Sequence, residues 1–265
     1  MSVTVSLVKY LNTAPLHWGM THGPCGGGMN LRFDTPAECA RLIACGEAAA
    51  GHIPAAEYQN MEGLEVLPGM SISSWGPVQS VVLLARRPAE KVERVALDES
   101  SRTSAILVRL LLDRIYDNRP RFVSMPPDIK VMLSGCDAAL LIGDPAMRAA
   151  RKGLYCYDLA SEWARLTGLP FVFAFWAIRP SPEVAALLPS FYRSRQYGLA
   201  RLEEIAAAES GPRGIPVNTA FHYLRDHIDF SLGPAHREGM RLFYRMAWEH
   251  GLLPEPRPLV FTPLP

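Results

Sequence analysis

No residue class is abundant enough to name a partner. Lysine and arginine number 27 against 26 aspartates and glutamates, a formal charge of +1, so the chain lacks the basic field that binds nucleic acid or an anionic membrane. The five cysteines, Cys25, Cys39, Cys45, Cys136 and Cys156, form no CxxC pair and are odd in number. That argues against both a disulfide framework and a structural zinc site. His22 and Cys25 lack two further ligands at usable spacing, so no metal is expected. The first residues, MSVTVSLVKYLN, show no cationic segment followed by an apolar core and a cleavage site. No run of about 18 apolar residues is present to span a bilayer. A soluble, cytoplasmic protein is therefore expected. The phosphate loop Gly-x-x-x-x-Gly-Lys is missing, as are internal repeats and low-complexity tracts.

What is present is a repeated junction of strand end and helix start. With 265 residues, 49% of them apolar, the chain can bury one large core or two smaller ones. Within residues 95–115 a short apolar run (Val95, Ala96, Leu97) stops at Asp98. Ser100, Ser101, Arg102, Thr103 and Ser104 follow, and then an amphipathic helix with Ile106, Leu107, Leu110, Leu111 and Ile115 on one face. One serine suffices to cap a helix. Four hydroxyls at a helix start suit a carboxylate, which unpaired N–H groups and the helix dipole both favour.

Two further junctions have the same form. An alternating strand over residues 3–7 leads to Asn12, Thr13 and Pro15, and the apolar strand 138–142 leads to Gly143, Asp144 and Pro145, where Asp144 is placed to cap its own helix. A third, at Pro54, follows His52, which reads as a shielded structural histidine. Ser80 interrupts a strongly β-favouring run over residues 78–84. That run and residues 171–178 are expected to be neighbouring crossings between two lobes, with hinges near 85–88 and 174–180. The lobes would comprise residues 1–86 with 178–265, and residues 87–177. Phe171, Phe173 and Trp176 are assigned to packing. Residues 181–250 are helical by pattern, with breaks near 211–216 and 233–234, and the proline-rich tail is expected to run extended.

If the lobes face each other, the turns converge on one cleft that offers amides and hydroxyls to a small anion with one or two carboxylates. They contain no Ser-His-Asp set and no Cys-His pair, so the residues describe binding more readily than chemistry.

Several motifs extend this reading. Tyr10-Leu11-Asn12-Thr13 with Pro15, Gly76-Pro77-Val78 with Ser80-Val81, the stretch from Leu97 to Ser104, Leu141-Ile142-Gly143-Asp144, and Glu162-Trp163 with Thr167-Gly168-Leu169-Pro170 together resemble the chorismate dehydratase family of the futalosine route to menaquinone. The resemblance covers residues 3–179, with a weaker match beyond. It implies an α/β fold of the two-lobed periplasmic-binding-protein-like type II class, each lobe a mixed sheet flanked by helices. It also implies a hydro-lyase without cofactor, acting on the small molecule chorismate, with neither nucleic acid nor membrane as partner.

By motif position the resemblance makes Asn12 the catalytic contact near the departing hydroxyl. Ser80, Ser101, Arg102, Thr103, Ser104, Gly143 and Asp144 become substrate-binding positions, with Arg102 either meeting substrate or turning outward to an acid. Lys9 and Pro145 depart from the family pattern, where small residues are usual. The sister enzyme acting on a cyclic futalosine derivative ranks second, because its turn is threonine- and proline-rich. A binding-only protein for a carboxylate ranks third.

Overall fold

The computed structural model describes residues 2–264. Its strands are β1 (Val3–Val8), β2 (Met29–Asp34), β3 (Ala50–Pro54), β4 (Glu65–Ser74), β5 (Val81–Ala85), β6 (Arg94–Asp98), β7 (Arg121–Met125), β8 (Ala138–Ile142), β9 (Tyr155–Asp158) and β10 (Phe171–Ile178). They form two five-stranded sheets, in the orders β2-β1-β3-β10-β4 and β7-β6-β8-β5-β9. Each sheet has three parallel strands at one side and then an antiparallel strand that entered from the other sheet. The mixed sheets and flanking helices agree with the expected α/β class.

The crossings differ from the expectation. β5 lies in the second sheet and β10 in the first, so the chain crosses at residues 75–80 and 168–170 rather than at 85–88 and 174–180. The expected lobe division put β5 with the first lobe and most of β10 with the second, and the structure exchanges them. An apolar, β-branched run reports that a strand is buried, but not which sheet receives it.

Residues of β5 alternate between two cores, Val81, Leu83 and Ala85 on one face and Val82 and Leu84 on the other. That two-sided burial is why the segment reads as continuously apolar. β4 is buried too, and two of its serines are satisfied by the segment after residue 227: Ser73 Oγ donates to Asp229 O at 2.7 Å and Ser71 Oγ donates to Ser231 O. The tail runs extended beside β4, with Val66 N donating to Val260 O at 2.8 Å and Thr262 N to Val66 O at 3.1 Å.

Asp158, at the end of β9, fastens the first crossing to the helix that follows β9. Its carboxylate accepts from Val78 N and Gln79 N at 3.1 and 2.7 Å, and from Ala160 N and Ser161 N at 3.2 and 3.1 Å. The second pair caps the helix Leu159–Thr167, while the first holds the outgoing chain in a γ-turn. In that turn Gln79 takes φ +62° and Ser80 N donates to Val78 O at 2.7 Å. A non-glycine residue with positive φ costs free energy, and such strain is concentrated at functional sites.

His52 is fully buried, with its ring centroid 4.0 Å from that of Trp176 and 6.2 Å from that of His17. Both histidines are held neutral: burial lowers His17 to about 3 and pushes His52 well below the usual 6.5. Below pH 6.5 the unfolded chain takes up protons at these sites and the folded chain does not, so stability is full above that pH and falls as pH drops toward 3. Urea unfolding at pH 7 and pH 5 should differ by about 2 kcal/mol per histidine. His17→Asn should reduce that difference, and an unchanged slope would show the ring to be protonated in the folded protein.

Candidate active site

The carboxyl ends of β1, β6 and β8 face one another across the junction of the sheets. The chain leaves β1 into the 3-10 turn Leu11–Thr13, leaves β6 into the helix Thr103–Tyr116, and leaves β8 into the helix Gly143–Arg148. Asn12, Ser101, Arg102, Thr103, Ser104 and Gly143 line a single cavity with Tyr10, Ile72 and Phe173. Phe173, assigned to packing from its sequence, therefore forms part of the wall. The cavity measures about 60 Å³, well below the several hundred that small-molecule sites provide. The facing turns therefore stand close together around it. A groove of about 790 Å³ lies between the helix Pro234–Glu249 and the tail, but the strand ends do not converge there.

The hydroxyls after β6 are not spent on capping: the helix Thr103–Tyr116 has Arg102 at its N-cap and no side-chain cap bond. Ser100 donates to Asp98 Oδ1 at 2.7 Å and meets Tyr10 Oη at 3.1 Å, while Thr103 Oγ1 accepts from Ala56 N at 3.0 Å. Burial pushes the Tyr10 phenol up to about 12 and raises the Asp98 carboxyl, against the hydrogen bonds from Ser100. Ser101 Oγ and Asn12 Oδ1 are buried with no hydrogen-bond partner among the described residues. Buried polar atoms are nearly always paired, so these two are unpaired groups at the cavity wall, the Ser101 hydroxyl able to donate or accept and Asn12 Oδ1 able to accept.

Arg102 turns outward, with Nε 3.3 Å from Glu57 Oε1 and Nη1 donating to Glu99 O at 3.1 Å. Two expected positions stand behind the cavity wall instead of lining it. Ser80 Oγ accepts from the Tyr223 hydroxyl at 2.6 Å, and Ser80 O accepts from Gly143 N at 2.7 Å.

Asp144 caps a helix, but not its own, where no side-chain cap bond forms. Its Oδ1 reaches across the cleft to accept from Leu11 N at 3.0 Å, and Oδ2 lies 3.1 Å from Arg213 Nε. An orphan N–H at the start of the 3-10 turn makes the better partner, because Gly143 turns the chain at φ +60° and aims the next side chain at the opposite lobe. Burial raises the Asp144 carboxyl, with the Leu11 and Arg213 contacts opposing.

Neither departure from the family pattern disturbs these contacts. Lys9 is exposed and is engaged through its backbone, its N donating to Asp34 O at 3.0 Å and its O accepting from Arg213 Nη2 at 2.9 Å. Pro145 lies in the first turn of its helix, where a missing N–H costs nothing. Tyr223 and Asp158 escaped the sequence reading. A cap signal before residues 159–167 could have found Asp158, while nothing near Tyr223 marks it.

Two sheets of the same strand order, joined by two crossings and closing strand-end turns on a shared cavity, define the periplasmic-binding-protein-like class. Similar solved structures include AF1704 from Archaeoglobus fulgidus, with TM-score 0.80 and 22% identity over 95% of this chain and 98% of that one. The aliphatic sulphonate binding protein SsuA from Escherichia coli has TM-score 0.66 and 15% identity over 99% and 94%. The chain belongs to the menaquinone biosynthesis family, whose model matches residues 3–249. A chorismate dehydratase from Thermus thermophilus is 33% identical over 258 residues, 90% of this chain and 93% of that protein. No helix is long and apolar enough to cross a membrane among the described residues.

Proposed function

We infer that the chain is a hydro-lyase that removes water from chorismate to give 3-[(1-carboxyvinyl)oxy]benzoate. The observation that carries this reading is the likeness to a chorismate dehydratase over nine tenths of the chain. The cavity wall is consistent with it in offering neutral donors and acceptors rather than a base. Chorismate carries two carboxylates, a ring hydroxyl and a ring hydrogen whose loss completes an aromatic ring. Aromatisation supplies the driving force, so the protein's task is to hold the ring and align the breaking bonds.

In the elimination the substrate's enolpyruvyl carboxylate takes the ring proton. The C–H electron pair becomes the third ring double bond as the neighbouring C–O bond breaks, and the proton taken by the carboxylate passes to the departing hydroxyl, which leaves as water and restores the carboxylate. Asn12 hydrogen-bonds the substrate at that hydroxyl. Ser101, Thr103, Ser104 and Gly143 hold the carboxylates, Ser80 and Asp144 support the wall from behind, and Arg102 closes the rim through Glu57. Transition-state stabilisation by fixed neutral dipoles suits a closed, nearly dry cavity.

A second reading, a binding protein for a small carboxylate, is favoured by the fold shared with SsuA. Incubation of the purified protein with chorismate, followed by mass spectrometry, separates the two. A product lighter by one water identifies the dehydratase, and unchanged chorismate with a raised melting temperature identifies the receptor. Chorismate neither consumed nor bound would overturn both and leave the sister reaction on a cyclic futalosine derivative.

A further inference from the structure

We propose that Arg213 is a positioning residue for the elimination, which sets Asn12 at its working distance from the turns of the opposite lobe. The inference rests on the dehydration read from the site above. An arginine in the last turn of a helix is favoured by the dipole alone. The helix Leu202–Arg213 nevertheless closes without this side chain, through Gly214 N donating to Gly211 O at 3.0 Å. The guanidinium is spent elsewhere. Nη1 stays with its own helix on Glu209, while Nη2 donates to Lys9 O at 2.9 Å and Nε lies 3.1 Å from Asp144 Oδ2.

These contacts close a ring around the backbone that leads into Asn12. Arg213 holds the carbonyl of Lys9, Asp144 Oδ1 accepts from the N–H of Leu11 at 3.0 Å, and Arg213 stands against the other oxygen of that carboxylate. Asn12 is the next residue. Lys9 and Leu11 follow β1 of the first sheet, whereas Asp144 follows β8 of the second, so the ring fixes one lobe on the other where Asn12 leaves its strand. The ends of the two helices are joined as well, Arg148 Nη1 donating to Arg213 O at 2.9 Å. A planar fork that meets three separate groups does what a point charge cannot.

The division of the site between the lobes decides which kinetic constant responds. Ser101, Thr103, Ser104 and Gly143, read above as holding the carboxylates, all belong to the second sheet and its helices. Of the residues assigned to the substrate, Asn12 alone belongs to the first. Chorismate should therefore still bind when the lobes stand out of register, and react slowly. An ion pair that served stability alone would lower the melting temperature and leave kcat as it was.

The test measures kcat and KM for chorismate in Arg213→Ala, in Asn12→Ala and in the double variant, with melting curves as the control for folding. Arg213→Ala should lower kcat on the order of 10²-fold, the cost of a misplacement of about 1 Å, with KM little changed. In the Asn12→Ala background the same change should cost nothing further, because the residue it positions is gone. Wild-type kcat in Arg213→Ala, a loss confined to KM, or an equal loss in both backgrounds would overturn the proposal. If Arg213→Ala does not fold, Arg213→Lys serves in its place. Its ammonium keeps the charge beside Asp144 but cannot also span to Lys9 O and Glu209, so it should slow turnover only while Asn12 is present. Wild-type kcat, or equal slowing in both backgrounds, overturns the proposal here too. An inactive wild type would remove the dehydratase reading and this inference together, whereas an active wild type with additive losses removes this inference alone.

Discussion

Asn12→Ala should bind chorismate and turn it over 10²- to 10³-fold more slowly, about the loss that follows removal of one preorganised donor from a developing oxyanion. Asn12 follows β1 in the turn Leu11–Thr13, and Thr13 Oγ1 locks that turn by donating to Val8 O and Tyr10 O at 2.5 and 2.8 Å. Truncation leaves this backbone untouched, so the turns after β6 and β8, proposed above to hold the carboxylates, should still grip the substrate. The loss should therefore fall on kcat, with KM near the wild-type value. Chorismate absorbance followed under saturating substrate reads the rate, and calorimetry reads the binding. Wild-type consumption of chorismate by this variant would remove Asn12 from the chemistry.

Gly143→Ala should lower kcat/KM by about 10²-fold or more, through geometry instead of chemistry. The residue sits at φ +60°, and an added Cβ would lie 2.5, 2.6 and 2.8 Å from three ring carbons of Tyr10 in the opposite lobe. Positive φ alone costs alanine on the order of 1 kcal/mol. The ring cannot easily retreat, because its hydroxyl is tied to Ser100 and Leu11 N is held by Asp144. The lobes must then stand apart by roughly the width of the clash, and the cavity loses its closed form. Steady-state kinetics and a melting curve together check this. A drop of a few degrees in melting temperature with a large loss of kcat/KM is expected, and a fully active variant would show that closure around Tyr10 is not needed.

The elements legible from sequence were those whose pattern has a single physical cause. β8 and β10 appear in the structure at the expected residues, and the helix Pro182–Leu199, capped by Ser181, begins where the stretch expected to be helical does. β4 was not legible over residues 69–74, because its buried serines look like loop. Their partners, Asp229 and Ser231, are some 160 residues away, and no local pattern records such a debt. The same limit governs the site. Asn12, the hydroxyls after β6 and Gly143 announce themselves by standing at strand ends, and the structure gathers them at one cavity. Asp144 carries the signature of a cap but serves a helix in the other lobe, a pairing that exists only after folding. Tyr223 lies in an ordinary amphipathic stretch, and its distinction is the group it meets.

The strand orders also bear on how the chain is made. All strands of the second sheet come from one uninterrupted stretch, residues 81–158, so that half can assemble while the rest is still being translated. The first sheet cannot: β4 meets its neighbours only through β10, made almost a hundred residues later. Until β10 arrives, β3 and β4 each present an unpaired edge, the kind of surface that recruits other chains. A pause in synthesis between residues 159 and 170 would thus leave a finished second half attached to an adhesive first one.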